Sequence, residues 1–191
     1  IGSPVAGRTT PEADNLVGFF INTLALRVDT SGHPNLDMLI ERVKTVVNHA
    51  LSHQDLPFER LVEDIGVERS LSHTPVFQAM LAWQNQGEFK FTLEDLSIDL
   101  LPVALAQTKF DLTLSIAPSA DGMIRGTLEY DASLFEEQRV AQWATWFVRT
   151  LDQAQALSEQ ASPVDTLSFL NAAERTRVVE LFNQRDLTTE L

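Results

Sequence analysis

An apolar run from residue 16 to residue 28 is the feature that most constrains the fold of this chain. The run reads LVGFFINTLALRV and is followed by DTSG, a turn-forming sequence. It is too short to span a membrane as a helix. A run of this kind, bounded by turn residues, is typical of a strand that is buried on both faces. We therefore expect a central strand here, around which the rest of the chain is organised.

One polar pair interrupts this run, and its first residue is Asn22. In a strand it shares a face with Phe20 and Leu24, where little water is expected. A buried amide without partners costs about 1–3 kcal/mol, so Asn22 needs hydrogen bonds. Bonds to neighbouring backbone would satisfy it, and a bracing role in a functional site is the alternative.

Length, charge and composition narrow the class of protein. A chain of 191 residues can form one or at most two compact domains. The absence of cysteine excludes disulfides, thiol nucleophiles and thiolate metal sites, and a net charge of −13 argues against nucleic-acid or anionic-membrane partners. Without a signal peptide or an apolar segment of membrane-spanning length, we expect a cytoplasmic protein. Because the chain starts at Ile1 rather than Met, we also expect a piece of a larger protein.

Alternating apolar residues predict the rest of a mixed sheet. Residues 76–83 predict a second long strand. Residues 110–117 and 124–130 predict a hairpin that turns at residues 118–122, and Thr113 with Ser115 lies on the polar side of its first strand. Together with the helices below, this predicts an α/β (α+β) fold, a mixed β-sheet with helices packed on one face.

Helical spacing predicts two helices between the first two strands. Asn35 is placed to cap the first, whose apolar residues recur from Leu36 to Ala50. Pro57 opens the second, Asp55 can cap it, and Gly66 can end it. Its inward face is expected to be Phe58, Leu61, Val62 and Ile65.

Two more helices are predicted after the hairpin. Ser133 and Glu136 have the spacing of a capping box before a long amphipathic helix. Its core face is expected to be Val140, Trp143, Ala144, Phe147, Val148 and Leu151. Asn171 and Glu174 are placed to cap a short final helix that runs to about Phe182.

Three motifs resemble those of the condensation domains of nonribosomal peptide synthetases. The first motif, GSPVAGR at residues 2–8 with VGFFINTLALR at 17–27, resembles G-x-P-x-x-G-R … G-x-F-x-N-T-x-x-x-R; the second motif, HQDLPFE at 53–59, resembles HQD-x-PFE. The third motif, RSLSHTPV at 69–76, resembles R-D-x-S-R-N-P-L and departs from it at Ser70, His73 and Thr74, so the stereochemical subtype of the donor stays open. The resemblance gives structural roles to Gly18, His53, Asp55, Pro57, Arg69 and Pro75.

The resemblance implies one lobe of a chloramphenicol-acetyltransferase-like fold, whose two lobes meet at the reaction site. Residues 1–160 would be the C-terminal lobe, with 87–109 as a latch onto the N-terminal lobe, and 161–191 would start the linker towards an adenylation domain. Arg8 would bond to the Asp of a histidine motif in the other lobe, and Asn22 would brace that region. Thr113 and Ser115 would face the substrate tunnel.

The implied activity is amide-bond formation between aminoacyl or peptidyl groups carried as thioesters. These groups arrive on the 4'-phosphopantetheine arms of donor and acceptor carrier domains, so no bound cofactor or metal is expected. The HHxxxDG catalytic motif is absent from this chain, and the nearest stretch, residues 33–37 (HPNLD), lacks its flanking His and Gly. We therefore expect no catalytic residue here and an inactive fragment.

Alternatives to this activity stay open. His49 and His53 have the spacing of a metal pair on a helix, but no acidic ligand lies nearby in helical phase, so structural histidines are expected. An epimerization domain has the same fold with proton abstraction in place of acyl transfer. A non-catalytic docking module descended from the fold is the other alternative.

Overall fold

One mixed sheet organises the fold of this chain. The computed structural model describes residues 1–8, 10–13, 15–67, 70, 73–84, 107–119 and 121–181. Within them the strands are β1 (Gly2–Val5), β2 (Asn22–Ala25), β3 (Ala79–Trp83), β4 (Leu112–Pro118) and β5 (Ile124–Tyr130). Their order is β2-β1-β3-β4-β5, in which β3 is parallel to β1 and β4 while β1–β2 and β4–β5 are antiparallel. The predicted α/β class with a mixed sheet is confirmed.

The helices follow the predicted order. They are α1 (Leu36–Ser52), α2 (Phe58–Ile65), α3 (Glu137–Gln160) and α4 (Ala172–Thr176), and α4 is followed by a π-helical turn, Arg177–Leu181. The contacts divide the described residues into two compact units, one drawn from 1–29 and 42–140 and the other from 30–41 and 141 onward. The sheet and α2 belong to the first unit. Five buried apolar side chains also lie there, Leu24, Val62, Phe77, Met80 and Val140, while Pro34 is buried in the second unit.

The apolar run at residues 16–28 is not a central strand, and this prediction was wrong. Only Asn22–Ala25 forms a strand, and it lies at the edge of the sheet. Val17 is fully exposed and Phe19 is 90% exposed, whereas Leu24 is 8% exposed. The reason lies upstream, because the guanidinium of Arg8 donates hydrogen bonds to backbone oxygens at Ala13 and Leu16. These bonds hold the preceding residues in a loop, so the strand begins only at Asn22.

The predictions made for the ends of α1 and α2 are confirmed in part. The Asn35 side chain accepts a hydrogen bond from the Met38 N–H at 2.9 Å, which confirms the N-cap. Gly66 ends α2 in the left-handed conformation, with φ +67°, as predicted. Two predictions were wrong: Ile65 is 56% exposed rather than inward, and the cap position of α2 is held by Pro57 rather than Asp55.

The hairpin of β4 and β5 is confirmed in register. Leu112 pairs with Tyr130 at one end, and Pro118 pairs with Ile124 at the other. The turn places Gly122 at φ +80°, a conformation that glycine adopts without steric cost. The second long strand begins later than predicted, at Ala79.

The start of α3 differs from the prediction. Ser133 does not cap it, because Asp131 Oδ1 accepts hydrogen bonds from both the N–H and the hydroxyl of Ser133. These two bonds hold the pKa of the Asp131 carboxyl below its usual value. The four residues from 133 to 136 therefore precede the helix, which begins at Glu137.

The packed face of α3 also differs from the prediction in its second half. Val140 is buried as expected, but Phe147, Val148 and Leu151 are 43%, 56% and 56% exposed. The half-buried side is instead turned towards the segment that follows the helix and carries Gln142, Trp146, Arg149 and Gln153. Apolar spacing indicated an amphipathic helix without indicating which segment would cover it.

That segment runs back along α3. The Ser168 backbone and the Gln153 side chain exchange two hydrogen bonds, of 3.2 and 2.7 Å, and Arg149 donates to the Phe169 carbonyl. The Trp146 ring lies 5.2 Å from that of Phe169. Residues 168–174 thus contact α3 in order from its C-terminal half towards its middle.

Glu174 anchors the far end of this segment. It completes the predicted capping box with Asn171, and its carboxylate also accepts from Trp146 Nε1 at 3.1 Å and from Arg149 Nη1 at 2.8 Å. The pKa of Glu174 is lowered from 4.5 to about 2, and the hydrogen bond from the Asn171 N–H is the largest cause. Burial is the next in size and raises the pKa, while the hydrogen bonds from Trp146, Arg149 and Gln142 lower it by smaller amounts. This carboxylate joins α4 to α3 through three donors of α3, on Gln142, Trp146 and Arg149.

Candidate functional site: a cavity on the polar face of the sheet

The register of the sheet places Thr113 and Ser115 on one face, which we call the polar face, and the large apolar side chains of β4 on the other. Met80 pairs with Thr113, and Ala82 pairs with Ser115, so these four side chains share one face. Pro4 joins the same face through the pairing of Gly2 with Met80. The opposite face of β4 carries Leu112, Leu114 and Ile116. The predicted polar side of this strand therefore exists and includes both Thr113 and Ser115.

A cavity of about 630 Å³ lies on this polar face. Its floor consists of Met80, Ala82 and Thr113, which are buried or half-buried. The rings of Phe20, Phe58 and Phe110 form its walls, and the exposed side chains of Asp55, Glu59 and Lys109 lie at its mouth. All the lining residues belong to the first unit of the chain.

Asn22 joins the first motif to the second beside this cavity. Its Nδ2 donates to the carbonyl oxygens of Gln54 and Leu56, both at 2.7 Å. Its Oδ1 accepts from the Phe58 N–H at 3.2 Å, which satisfies one of the backbone donors that a helix start leaves without a partner. The same oxygen accepts from the Thr23 N–H at 2.8 Å. Asn22 thus hydrogen-bonds to backbone groups, as the simpler interpretation predicted. Three of these groups belong to the second motif.

An aromatic cluster joins the third motif to the other two. The ring of Phe77 is 4% exposed and lies 5.3 Å from the ring of Phe58 and 5.5 Å from that of Phe110. Gly2 leaves room for it, because a Cβ at that position would stand 2.2 Å from the Phe77 ring. Residues of the first and second motifs and the residue that follows the third therefore meet around one ring.

A tight turn at the end of the third motif places Phe77. Val76 has φ +71°, and the Phe77 N–H donates to the Pro75 carbonyl at 2.9 Å, as in a γ-turn. A β-branched residue in this conformation is strained by about 1–3 kcal/mol. The Thr74 hydroxyl donates to the Phe77 carbonyl at 2.6 Å and spans the turn. Pro75 thus supplies the acceptor of this turn, whereas Arg69 lies outside the described residues.

The loop of the first motif packs beneath the cavity wall. The Arg8 guanidinium lies 4.4 Å from the centre of the Phe20 ring, a cation–π contact. Gly7 has φ +62°, and a Cβ there would stand 1.8 Å from the Phe20 carbonyl oxygen. A Cβ at Gly18 would stand 3.0 Å from the Phe20 ring. The glycines of the first motif therefore permit a close approach of the chain to itself.

The histidines lie away from this cavity. The rings of His49 and His53 are in contact, with centroids 4.7 Å apart, and His53 Nδ1 lies 2.9 Å from the His49 carbonyl oxygen. Within the ranges that the structure describes, no group of three His, Cys, Asp or Glu side chains could hold a metal ion. His33 pairs with Asp165 at the surface. Residues 33–37 contain an isolated β-bridge between Asn35 and Pro163 and the first two residues of α1.

The structure brings together only some of the predicted site residues. Asn22, Asp55, Pro57 and Thr113 line the cavity. Ser115 shares its face of the sheet without lining it, and Arg8 contacts it only through Phe20. Sequence reasoning missed several lining residues, among them Met80, Ala82, Lys109 and Phe110. The signal for Met80 and Ala82 was the phase of residues 79–83 relative to Thr113, which cannot be assigned before the strand register is known.

Comparison with known proteins identifies the family. The family model for the condensation domain matches residues 1–179, and the chain belongs to this family. The malpinin synthetase of Mortierella alpina is 41% identical over 183 residues, which are 96% of this chain and 2% of that protein. A dimodular nonribosomal peptide synthase of Bacillus subtilis is 41% identical over 184 residues, which are 94% of this chain and 8% of that protein. The suspected family is confirmed, and the chain spans only a small share of these relatives.

Solved structures show the same fold. The X-domain in its complex with OxyB, from teicoplanin biosynthesis, matches with a TM-score of 0.75 and 26% identity over 89% of this chain and 37% of that one. A four-domain nonribosomal peptide synthetase bound to AMP and glycine matches with a TM-score of 0.72 and 25% identity, over 90% of this chain and 14% of that one. A starter condensation domain of rhizomide synthetase in complex with C8-CoA shares the fold, with a TM-score of 0.68 and 21% identity over 90% of this chain and 38% of that one.

Among the helices that the structure describes, none is both long and apolar enough to cross a membrane.

Proposed function

We propose that this chain is the C-terminal lobe of a condensation domain that forms amide bonds in a nonribosomal peptide synthetase. The observation that carries the proposal is the hydrogen bonding of Asn22, which ties the first motif to the second beside a cavity of about 630 Å³. The spacing of three motifs suggested the family, and this contact gives two of them a common structural purpose. The matched solved structures support the lobe, because the chain covers 37–38% of two of them.

The proposed reaction joins an amine on one carrier domain to a thioester on another. It requires a deprotonated amine, support for a tetrahedral oxyanion and two reactants held in a near-attack pose. This lobe supplies the wall and floor of the reaction chamber, with Thr113 and Ser115 on the polar face of the sheet. The catalytic HHxxxDG belongs to the N-terminal lobe.

Arg8 is proposed to orient that distant motif. Its guanidinium has five N–H donors, and the loop carbonyls of Ala13 and Leu16 accept from two of its nitrogens. The fork is therefore held in place by its own loop and keeps donors for a carboxylate of the partner lobe. Bidentate pairing of this kind gives both strength and direction.

The proposed partners follow from the same assignment. Residues 87–109, most of which lie outside the described residues, are proposed to latch onto the N-terminal lobe, and residues 161–191 are proposed to lead towards an adenylation domain. The substrates arrive on 4'-phosphopantetheine arms of donor and acceptor carrier domains, and the lobe holds no cofactor of its own.

A docking module is the second candidate. The X-domain that matches this chain is in complex with OxyB, so a domain of this fold also binds another protein. An epimerization domain shares the fold as well. One assay separates the three candidates, which are condensation, docking and epimerization. The complete domain, with both lobes, is supplied with donor and acceptor thioesters on carrier domains, and the products are measured by mass spectrometry and chiral chromatography.

We expect an amide product from the complete domain and none from this chain alone. Adding the N-terminal lobe as a separate polypeptide should restore part of the turnover, because each lobe alone loses most of the roughly 7–11 kcal/mol that orientation contributes. Inversion at the α-carbon without an amide would indicate epimerization instead. Neither product would indicate docking, and turnover by this chain alone would show that its chemistry lies in residues we consider structural.

A further inference from the structure

We propose that the cavity on the polar face of the sheet is a side-chain subsite, which takes the apolar side chain of an aminoacyl group and whose size limit is set by Ala82. The inference rests on the proposed function and adds the class of substrate to it. It concerns one of the two reacting aminoacyl groups, and the experiment below determines whether that group is the donor or the acceptor.

The depth profile of the cavity fits an apolar group. The floor residue Met80 is 7% exposed, and Ala82 and Thr113 are half-buried. The rings of Phe58 and Phe110 beside them are also half-buried. An apolar side chain that enters leaves water and contacts carbon atoms on the floor and on two walls, which is favourable. A volume of about 630 Å³ lies within the range of small-molecule sites.

The mouth of the cavity fits the polar end of the same group. Asp55, Glu59 and Lys109 line the cavity and are exposed, unlike the floor. An aminoacyl thioester has an amino group that can donate an N–H to either carboxylate and a carbonyl oxygen that can accept from the Lys109 ammonium. The cavity is therefore apolar at its floor and charged at its mouth. This matches an aminoacyl group whose side chain points to the floor and whose amino and carbonyl groups stay at the mouth.

The position of Ala82 makes it the residue that limits size. It pairs with Ser115 on the polar face and lies two residues from Met80 on the same strand. Its methyl group is the smallest side chain on the floor, and a leucine there would add three carbon atoms to the space a substrate would use. Leu81, the adjacent residue, points to the opposite face of the sheet and gives a matched control.

The experiment uses the complete synthetase, whose own carrier domains are loaded with chosen aminoacyl groups. Glycyl, alanyl, leucyl and phenylalanyl groups are placed first on the acceptor carrier with a fixed donor, then on the donor carrier with a fixed acceptor. Single-turnover amide formation is measured for the wild type, Ala82→Val, Ala82→Leu and Leu81→Met. The measured quantity is the rate for each large group divided by the rate for glycyl.

We expect Ala82→Leu to lower the leucyl-to-glycyl and phenylalanyl-to-glycyl ratios by about tenfold or more in one of the two series, since a hydrophobic pocket discriminates by about 10–200-fold per methylene-sized change. Ala82→Val should fall between wild type and Ala82→Leu, and Leu81→Met should match wild type. The series that responds identifies the bound group as donor or acceptor.

The glycyl rate separates misfolding from a change of specificity. If both Ala82 variants slow glycyl as much as phenylalanyl, or if the ratios stay unchanged in both series, the subsite assignment is overturned while the proposed function stands. If the wild type forms no amide with any pair, the proposed function fails, and the subsite fails with it.

Discussion

Replacing Asn22 by alanine tests the contact on which the site depends. The substitution removes three hydrogen bonds between β2 and the corner that joins α1 to α2, with partners 32, 34 and 36 residues away. Because these partners are distant in sequence, the bonds are lost on unfolding and contribute to stability. The perturbation leaves the apolar contacts of β2 in place, since Leu24 on the same strand is unchanged.

The size of the effect follows from the three bonds. A typical hydrogen bond contributes about 0.5–1.5 kcal/mol net, so three contribute roughly 1.5–4.5 kcal/mol. The bonds to Gln54 and Phe58 are partly buried, while the bond to Leu56 is exposed and can be replaced by water. We therefore expect Asn22→Ala to lower the free energy of unfolding by about 2–3 kcal/mol.

Urea unfolding of the condensation domain with both lobes measures this difference, from the shift in midpoint at constant m-value. Asn48→Ala is the matched control, because Asn48 is exposed on α1 and the same substitution there should change stability by less than about 0.5 kcal/mol. Asn22→Asp keeps the acceptor for Phe58 but turns a carboxylate oxygen towards two carbonyl oxygens, so it should be at least as unstable as Asn22→Ala. An Asn22→Ala domain as stable as the Asn48→Ala domain would refute the reasoning.

Two further predictions concern charged groups. The pKa of Glu174 is lowered from 4.5 to about 2, so its carboxylate stabilises the fold fully above pH 4.5, and this stabilisation is lost as the pH falls towards 2. Over that range the unfolding free energy of the wild type should fall more than that of Glu174→Gln. The control Glu180→Gln, at an exposed position, should follow the wild type. Parallel curves of unfolding free energy against pH for all three proteins would contradict this prediction. Arg8→Ala should lower amide formation by the complete domain about a hundredfold through misplacement of the partner lobe's motif. Arg125→Ala at the hairpin turn, with the same change of charge, is its control, and wild-type turnover in Arg8→Ala would count against the assignment.

Local sequence signals predicted the elements whose partners are close in sequence. The hairpin of β4 and β5, the Asn35 cap and the Asn171–Glu174 capping box each depend on residues within a few positions of one another. In such patterns the residues that make the contact are neighbours in sequence, so their spacing alone predicts the contact. They fixed the element type and, in several cases, the residue at which the element ends.

The predictions that were wrong depended on what covers an element. Phe19 and Val17 look like core residues by composition but are exposed, because the loop held by Arg8 delays β2. The α3 face with Val148 is exposed because the returning segment packs on another side of the helix. Ser133 has the spacing of a cap, but Asp131 binds its N–H and hydroxyl first.

The candidate site was predictable in part for the same reason. The motifs indicated Asn22 and the polar phase of β4 indicated Thr113, so both could be proposed from the sequence. The bonds that Asn22 makes span more than thirty residues, and the pairing of Ala82 with Ser115 depends on strand register. Neither can be derived from the spacing of residues along a single chain.

The backward run of residues 168–174 along α3 has a mechanical consequence. Its attachments are arranged in series, with Glu174 nearest the C-terminal side, then Phe169, then Ser168. A pull on residue 181 directed away from the helix would load the Glu174 anchor alone and pass to the next attachment only after the first had broken. Tension in this direction peels the segment away one bond at a time, so it yields at low force, whereas tension along the helix axis loads several bonds in parallel.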